Sequence, residues 1–570
     1  MPSEWVQIPS FGGGLNFTAQ PQAIEQHEWS WCNGFYPDEQ GAIPLPLYTV
    51  RMAASYFAGK TPAQTVFGLL MNPFSPATPL LILTYETSGT DPVPVHLYKS
   101  TGDPTGTTEI TWDGVGSPTT RYKTHRTAPS AAFLNGYLVI TCGSGDSGYS
   151  MLRWDGGATF NTIVVSTTFR CAYLESFAEH LVGASWGTAQ NDMRRIRISD
   201  SNSTTIWVPA VTNSADDAIL DDSVSGILGL TLLNTNALGI FTRVGVYALT
   251  PTGNIPPFTR SYLGMYPLAD GGSPVGAGTT FYVQTSPLTG QTPSGVAHVG
   301  YSNLWIGLET PIGTKVWRYL SYQTIPPDPA QRTTPRIIWH HRLRTLIVST
   351  IAHTPPADGF FYYNPLQDGW GWQSSAFMAP VGGDQTLTFL GTGLGVPQWT
   401  HFFVDANGNV MGEDPATSPR PGIYVDSKDF AMPAERYVDA IKVDWEPLTP
   451  SARLKVFCLT REGISDGTAG QAPVIGTPGF EQNLTQLFAN VPACQQCILP
   501  SGASENALRA KGKFIRFRFQ IDAGIGRIRG FAFRQTDAGD KLTDLRIYVS
   551  PTNRGMWDHT FWNTSRWSSQ

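Results

Sequence analysis

Short apolar segments separated by turns recur along the middle of the chain, with a spacing of ~40 to 60 residues. The copies lie at 131–140, 177–184, 236–241, 296–300, 346–349 and 399–405. Each consists of a short apolar strand, a turn, and a second strand that ends on a polar or aromatic residue. A repeat of about 40 residues built from strands and turns is typical of one four-stranded blade. The pattern therefore predicts an all-β fold that contains a β-propeller.

Composition supports this fold class. The 58 glycines and 44 prolines fit a chain with many tight turns. Charged residues make up only 14%, against about 25% in ordinary soluble domains. Aromatic residues reach 12%, so the chain can bury a large core and still present weakly polar surface to partner subunits.

The hydrophobic pattern divides the chain into four parts. Residues 1–60 are predicted to be an N-terminal arm that crosses the surface and is anchored by aromatic side chains, among them Trp29 and Trp31. Residues 61–430 are predicted to form the propeller. A separate β-sandwich-like domain follows at 431–550, where apolar and polar residues alternate. Residues 551–570 form a C-terminal tail.

The clearest predicted strand lies at 514–521. Its apolar side chains share one face, and Arg516 and Arg518 share the other. A return strand carries Arg527 and Arg529. Between 509 and 546 there are ten Lys or Arg and four Asp, a local balance of +6. Three interpretations stay open: a solvated strand face, a subunit contact, and a patch that faces DNA. Together with Trp29 and Trp31, these four arginines are the candidate subunit-interface residues.

Charge and cysteine content narrow the function classes. A net charge of −6 argues against a protein that binds nucleic acid by neutralising phosphates. No charged-then-apolar signal segment opens the chain and no apolar run reaches about 18 residues, so we expect no membrane segment. Cys494 and Cys497 have metal-ligand spacing but lack a second pair, so we expect ordinary thiols and no metal or cofactor.

Catalytic motifs are scarce. Residues 144–148 fit the Ser-x-Asp-x-Gly core of the sialidase Asp box, a turn motif that carries no catalysis itself. No spacing singles out the arginine cluster, tyrosine nucleophile and acid–base carboxylate that a sialidase needs. We therefore expect no catalytic residues and no enzyme activity. The alternatives are a sialidase-like propeller glycosidase and a sugar-binding protein that recognises a receptor.

Several phrases resemble the nozzle or hub proteins that extend the tails of short-tailed bacteriophages. The opening is similar in its Gly14-Leu15-Asn16, Pro21, Glu28, Asn33 and 41–45. Further similar phrases lie at 180–207 and 245–249, and the closing 516–519 and 530–533 resemble the last β-domain of that family.

The resemblance implies about six blades per subunit and a homo-oligomer, a ring of six around a channel. In a virion, such a ring continues the DNA conduit below the adaptor and contacts the tail-tip or fibre proteins. It holds the packaged genome and later lets the double-stranded DNA pass. The expected location is the virion tail, assembled in the host bacterial cytoplasm.

Overall fold

The structure, a computed structural model, consists almost entirely of β-strands. It describes residues 4–16, 21–88, 93–113, 123–124, 129–141, 151–163, 171–185, 194–220, 226–242, 245–264, 275–277, 280–285, 295–302, 305–311, 337–340, 343–350, 359–374, 388–390, 400–405, 407–414, 423–432, 436–449, 452–461, 481–484, 496–498 and 514–537. The all-β prediction is confirmed. The C-terminal tail lies outside the described residues.

The chain begins with five strands and a short helix: β1 (Glu4–Ile8), β2 (Trp29–Asn33), β3 (Phe35–Asp38), β4 (Gly41–Pro44), β5 (Leu47–Met52) and α1 (Ala54–Ala58). The middle of the chain continues with β6 (Gln64–Met71), β7 (Leu80–Glu86), β8 (Val93–Ser100), β9 (Thr107–Trp112), β10 (Lys123–Thr124), β11 (Ala131–Leu134), β12 (Tyr137–Ile140), β13 (Met151–Trp154), β14 (Thr159–Ile163), β15 (Tyr173–Phe177), β16 (His180–Ala184), β17 (Arg195–Ile198), β18 (Asp216–Ile219), β19 (Ile227–Asn234), β20 (Ala237–Thr242), β21 (Val246–Pro251) and β22 (Phe258–Gly264).

Further strands complete the repeat region: β23 (Val275–Ala277), β24 (Thr280–Thr285), β25 (Gly295–Ser302), β26 (Trp305–Pro311), β27 (Ile337–His340), β28 (Thr345–Thr350), β29 (Gly359–Asn364), β30 (Gly369–Ser374), β31 (Thr388–Leu390), β32 (Thr400–Val404) and β33 (Val410–Asp414). The C-terminal region contains β34 (Tyr424–Ser427), β35 (Phe430–Ala431), β36 (Arg436–Pro447), β37 (Arg453–Arg461), β38 (Glu481–Leu484), β39 (Gln496–Ile498), β40 (Phe514–Ala523) and β41 (Gly526–Asp537).

The repeat region folds into antiparallel four-stranded meanders. We number these meanders as sheets 1 to 6: β6–β9, β11–β14, β15–β18, β19–β22, β23–β26 and β27–β30. The last strands of sheets 1 and 2, β9 and β14, also pair with each other in parallel. Sheet 7 combines β31, β32 and β33 with β5 from the N-terminal segment. The described residues thus hold seven such sheets, and the expected number of about six blades is not confirmed.

The seven sheets close into a ring. From sheet 2 onward, the first strand of each sheet contacts the first strand of the next, and β31 of sheet 7 contacts β6 of sheet 1. Sheets 1 and 2 share one apolar core, in which Phe67 packs with Leu138 and Ile140. This radial arrangement about an axis is the β-propeller that the repeat predicts.

Sheet 7 joins distant parts of the chain, because its fourth strand, β5, comes from the N-terminal segment and its other strands come from residues 388–414. On one side of it, Met52 and Phe402 pack with Ile82 of sheet 1. On the other side, buried His340 of sheet 6 lies 3.1 Å from the buried carboxylate of Glu413.

The C-terminal domain is a two-sheet sandwich. One sheet has the order β3–β4–β41–β36–β39, with β1 paired to β41, and it continues through β3 into β30 of the propeller. The other has the order β2–β34–β40–β37–β38. The sheets meet through aromatic side chains: the ring centroids of Phe517 and Phe533 are 5.0 Å apart, and those of Phe519 and Phe531 are also 5.0 Å apart.

The N-terminal segment is therefore not an arm that crosses the surface. Its strands β1, β2 and β4 pair with strands of the C-terminal sandwich. The physical reason is the apolar content of the segment, because Phe11 and Trp29 are buried in the sandwich core. Gly14 has a φ of +72°, and a Cβ there would lie 2.5 Å from the backbone nitrogen of Trp370. Glycine permits this close approach.

One acidic side chain near the propeller axis is partly buried. Glu175, on the first strand of sheet 3, has a pKa raised to about 7 by burial, although the Ser176 N–H donates a hydrogen bond to it. The folded state thus holds this proton more tightly than the unfolded chain, whose Glu pKa is near 4.3. The contribution of Glu175 to stability is therefore fully present below about pH 4 and is lost as pH rises through 7.

We expect Glu175→Gln to stabilise the protein at pH 8 by up to about 3 kcal/mol, and to leave stability nearly unchanged at pH 4. Part of the side chain remains exposed, so this is an upper bound. Denaturant unfolding at both pH values measures the effect. Glu179→Gln, in the exposed turn after the same strand, is the matched control. An equal gain at both pH values would contradict the prediction.

Candidate interaction surface

In every meander, the turn after the first strand and the turn after the third strand lie at the same end of the sheet. In sheets 1 to 4 these connections are residues 72–79, 101–106, 135–136, 155–158, 178–179, 199–215, 235–236 and 252–257. Together they form one face of the propeller.

Contacts between neighbouring sheets show that these connections lie side by side. Phe74 of sheet 1 packs on Phe133 and Trp154 of sheet 2. The Asn135 side chain of sheet 2 donates a hydrogen bond of 2.9 Å to the carbonyl oxygen of Asn202 in sheet 3. Between sheets 3 and 4, Phe177 stacks on Phe258 with ring centroids 5.5 Å apart.

This face carries most of the large apolar side chains that are exposed in the described part of the chain. We call the set the apolar face: Met71, Phe133, Ile206, Val208, Val211, Leu232 and Ile255. Val208 is 55% exposed and Ile255 is 68% exposed. Single exposed apolar residues are ordinary, but a group gathered on one face is typical of an interaction surface.

The longest loop of the apolar face is held rigid from within. Trp207 is fully buried among residues of sheets 2 and 3, and its indole N–H donates to the carbonyl oxygen of Thr204. Asn213 accepts two backbone N–H groups and donates to the carbonyl oxygen of Val208. A buried anchor thus lies between exposed Ile206 and Val208, so the loop presents both side chains in a fixed position.

The connection 252–257 is also ordered. The Thr252 hydroxyl donates to the carbonyl oxygen of Pro256 at 2.7 Å and accepts the N–H of Asn254. Ile255 lies at the tip of this loop. An ordered loop loses little conformational entropy on binding, which favours association.

Charges on this face differ between sheets. In sheets 1 to 4 the connections contain the carboxylates of Asp103, Asp155, Glu179 and Asp200 and no Lys or Arg, whereas exposed Arg344 lies in the first turn of sheet 6. Backbone and hydroxyl hydrogen bonds from Ser214 hold the pKa of Asp200 below its usual range. The guanidinium of Arg153, on the adjoining strand, lies 3.5 Å from the centre of the Tyr137 ring.

The candidate interface arginines at 516 and 518 lie elsewhere, and they are buried. Arg518 Nε and one terminal nitrogen bind the two oxygens of Asp426 at 2.6 and 2.7 Å. Arg516 Nε binds Asp429 at 2.6 Å. Burial alone would lower the pKa of Arg518, but the Asp426 carboxylate outweighs it and raises the pKa.

The predicted interface role is therefore corrected for Arg516, Arg518, Trp29 and Trp31. All four are buried inside one chain, so they offer almost no surface to a neighbouring subunit. The alternation along β40 is confirmed, but both faces of the strand are covered. The sequence could not show that Asp426 and Asp429, about 90 residues earlier, would supply the partners of the arginines.

Arg527 and Arg529 are partly exposed and both contact Glu446, at 2.7 and 2.9 Å. Arg527 also binds Asp38 at 2.7 Å. The structure thus brings these two arginines together with acidic partners from the same chain. Their role in a subunit contact stays a prediction.

Only some of the other sites predicted from the sequence lie among the described residues. The Asp-box-like 144–148 and Cys494 lie outside the described residues, as does the side chain of Cys497. Cys32 is a buried free thiol whose pKa is raised by burial. Among the described residues, no three His, Cys, Asp or Glu side chains are grouped as metal ligands. Within the same ranges, no helix is long and apolar enough to cross a membrane.

Sequence reasoning missed the apolar face. Trp207 marked the end of a repeat, but its exposed neighbours were not singled out. The available signal was the uncharged stretch 203–211, which is too apolar for an ordinary connecting loop.

Comparison with known proteins gives the following. No family model matches the chain, and no curated protein matches it. Similar solved structures include two proteins proposed to be 6-phosphogluconolactonases. The one from Bacteroides fragilis is 10% identical and covers 64% of this chain and 90% of its own, with a TM-score of 0.33.

The second, from Bacteroides uniformis, is 14% identical and covers 64% of this chain and 91% of its own, with a TM-score of 0.32. YCF48 from Cyanidioschyzon merolae is 10% identical and covers 65% of this chain and 99% of its own, with a TM-score of 0.38. Strand pairing and the contacts between sheets within the chain itself define the propeller.

Removing one partner of the buried pair should destabilise the sandwich strongly. We expect Arg518→Met to cost about 3–5 kcal/mol, because it leaves the buried carboxylate of Asp426 with only the more distant guanidinium of Arg516, at 4.0 Å. The double variant Arg518→Met with Asp426→Leu should recover most of the loss. Arg529→Met, in an exposed pair, should cost at most about 1 kcal/mol. Denaturant unfolding compares them, and equal losses for Arg518→Met and Arg529→Met would contradict burial of the pair.

Proposed function

We propose that this protein is a structural subunit of a bacteriophage tail, which assembles into a ring and continues the DNA conduit below the adaptor. The observation that carries the proposal is the apolar face, because exposed aliphatic side chains on ordered loops are costly in water and useful only when covered. The resemblance of the opening and closing phrases supplies the class of assembly.

The fold suits a building block. The propeller is closed by a strand from the N-terminal segment, and the same segment is paired into the sandwich. The two β-domains are therefore tied together by backbone hydrogen bonds. Such a subunit can bear load between neighbours without separating into its parts.

The weak negative charge also suits a conduit. A channel that must let double-stranded DNA pass should not bind phosphates tightly, because each phosphate neutralised by Lys or Arg adds affinity. The net charge of −6 and the low content of charged residues agree with this requirement. The neighbours in the tail are the adaptor and the tail-tip or fibre proteins, and assembly takes place in the bacterial cytoplasm.

The assembly state tests the proposal. We expect the purified full-length protein to form a closed ring of identical subunits, about six, because weakly charged surface needs to be covered. Native mass spectrometry gives the number of copies, and electron micrographs show whether the ring is closed. A protein that stays monomeric at about 10 μM, within the range of ordinary subunit affinities, would contradict the proposal.

An activity assay separates this role from the enzymatic rival. We expect no turnover of a fluorogenic sialoside by the same purified protein, with a known sialidase as the positive control. Measurable turnover would replace the structural role with that of a glycosidase.

A further inference from the structure

A largely buried histidine in sheet 1 lies between two carboxylates. The Nδ1 atom of His96, on β8, is 2.7 Å from Glu109 Oε1 on β9, and its Nε2 atom is 3.2 Å from Glu86 Oε1 on β7. An ionised carboxylate only accepts hydrogen bonds, and a neutral imidazole has a single N–H to donate. Both contacts are therefore hydrogen bonds only when the ring carries a proton on each nitrogen, as an imidazolium.

The polar network around this ring extends across the four strands of sheet 1. Tyr98 lies opposite Glu109 in the register of β8 and β9, and its hydroxyl donates a hydrogen bond of 2.8 Å to Gln64 Oε1 on β6. The Thr84 hydroxyl on β7 donates to the same oxygen at 2.6 Å. Tyr98 also belongs to the apolar cluster that contains Phe402 of sheet 7. The network thus lies at the seam between sheets 7 and 1, where the ring closes.

The segment that links β5 of sheet 7 to β6 of sheet 1 packs on the same groups. Phe57 of α1 meets Tyr98 edge-on, with ring centroids 5.4 Å apart. The Lys60 ammonium lies 4.5 Å from the centre of the Tyr56 ring and 5.7 Å from that of Tyr98. Residues 53–63 belong to no β-strand, so contacts with sheet 1 help to fix their position.

One group at this seam changes its charge near neutral pH. Hydrogen bonding to His96 holds the pKa of Glu109 below its usual range, although burial opposes this effect. Burial and the charge of Glu109 raise the pKa of Tyr98, so its hydroxyl keeps its proton. Between pH 6 and 9, ordinary carboxylates are ionised, lysine is charged and tyrosine is neutral, whereas histidine titrates. The described titratable groups around the ring are Glu86, Glu109, Tyr98, Tyr56 and Lys60.

We propose that His96 is a proton-dependent clasp at the seam between sheets 7 and 1, which holds Glu86 and Glu109 as an imidazolium and releases one of them when it becomes neutral. The neutral ring turns the lone pair of one nitrogen towards a carboxylate, which repels it. A carboxylate that loses its donor is stabilised by turning to water, away from the face that residues 53–63 cover. The clasp is therefore present at pH 6 and lost as pH rises towards 9. It is a property of the single chain and does not depend on the proposed ring.

Hydrogen–deuterium exchange of the full-length protein, read by mass spectrometry and corrected for the intrinsic exchange rate at each pH, tests the clasp. From pH 6 to pH 9, the protection of residues 53–66 should fall about threefold more in wild type than in His96→Gln. Glutamine keeps a donor at this position but has no proton to lose in this range. The comparison with His96→Gln removes the effect of every other titrating group, including Glu175.

Two further variants separate the clasp from general effects. Glu86→Gln should reduce the additional fall in protection, because an amide can donate to a neutral ring as well as accept from a charged one. It replaces His96→Gln if thermal melts show that this variant is unfolded. His27→Gln is the matched control, since His27 lies 3.4 Å from Glu25 with both side chains exposed, in the segment that pairs with the sandwich. It should respond to pH as wild type does.

An equal response to pH in wild type and His96→Gln would overturn the inference, as would a response of Glu86→Gln identical to that of wild type. An equal additional fall in the sandwich strand 514–523 would reveal a change in global stability and would also contradict a clasp at this seam. A smaller fall in His27→Gln, matching that in His96→Gln, would show that any histidine near a carboxylate has this effect.

Discussion

The pairing of β5 with β33 is the interaction on which the rest of the structure depends. It completes sheet 7 from the N-terminal segment and so closes the propeller, because an unclosed ring would leave apolar sheet faces in water. The same segment also contributes β1, β2 and β4 to the sandwich. One stretch of about 50 residues therefore holds both β-domains, and we expect neither to be stable without it.

The buried arginines of the sandwich form ion pairs with well-defined hydrogen-bond geometry. Arg516 and Arg518 lie on a strand between two covered faces, and each finds a carboxylate within hydrogen-bond distance. Such pairs contribute little net stability compared with apolar residues, but an unpaired member is costly. They therefore favour one register of β40 against β34. Outside such pairs the protein carries few charges, which leaves surface that neighbours can cover.

Within one loop of the candidate surface, buried and exposed residues have different roles. Trp207 is fully buried and supplies the stability of the loop 199–215, and its neighbours Ile206 and Val208 are exposed. Rigid presentation of apolar side chains lowers the entropic cost of association. The surface thus combines exposed apolar side chains with ordered loops.

The sequence by itself determined the all-β class, the repeat and the alternation along β40, because strand periodicity and turn residues are local properties. It did not determine the blade number, since sheet 7 takes its last strand from residues more than 330 positions away. Nor could it show that Arg516 and Arg518 are buried, because Asp426 and Asp429 approach them only in the folded chain. The exposed state of Ile206 and Val208 was likewise decided by tertiary structure, since burial depends on which side of Trp207 meets the neighbouring sheets.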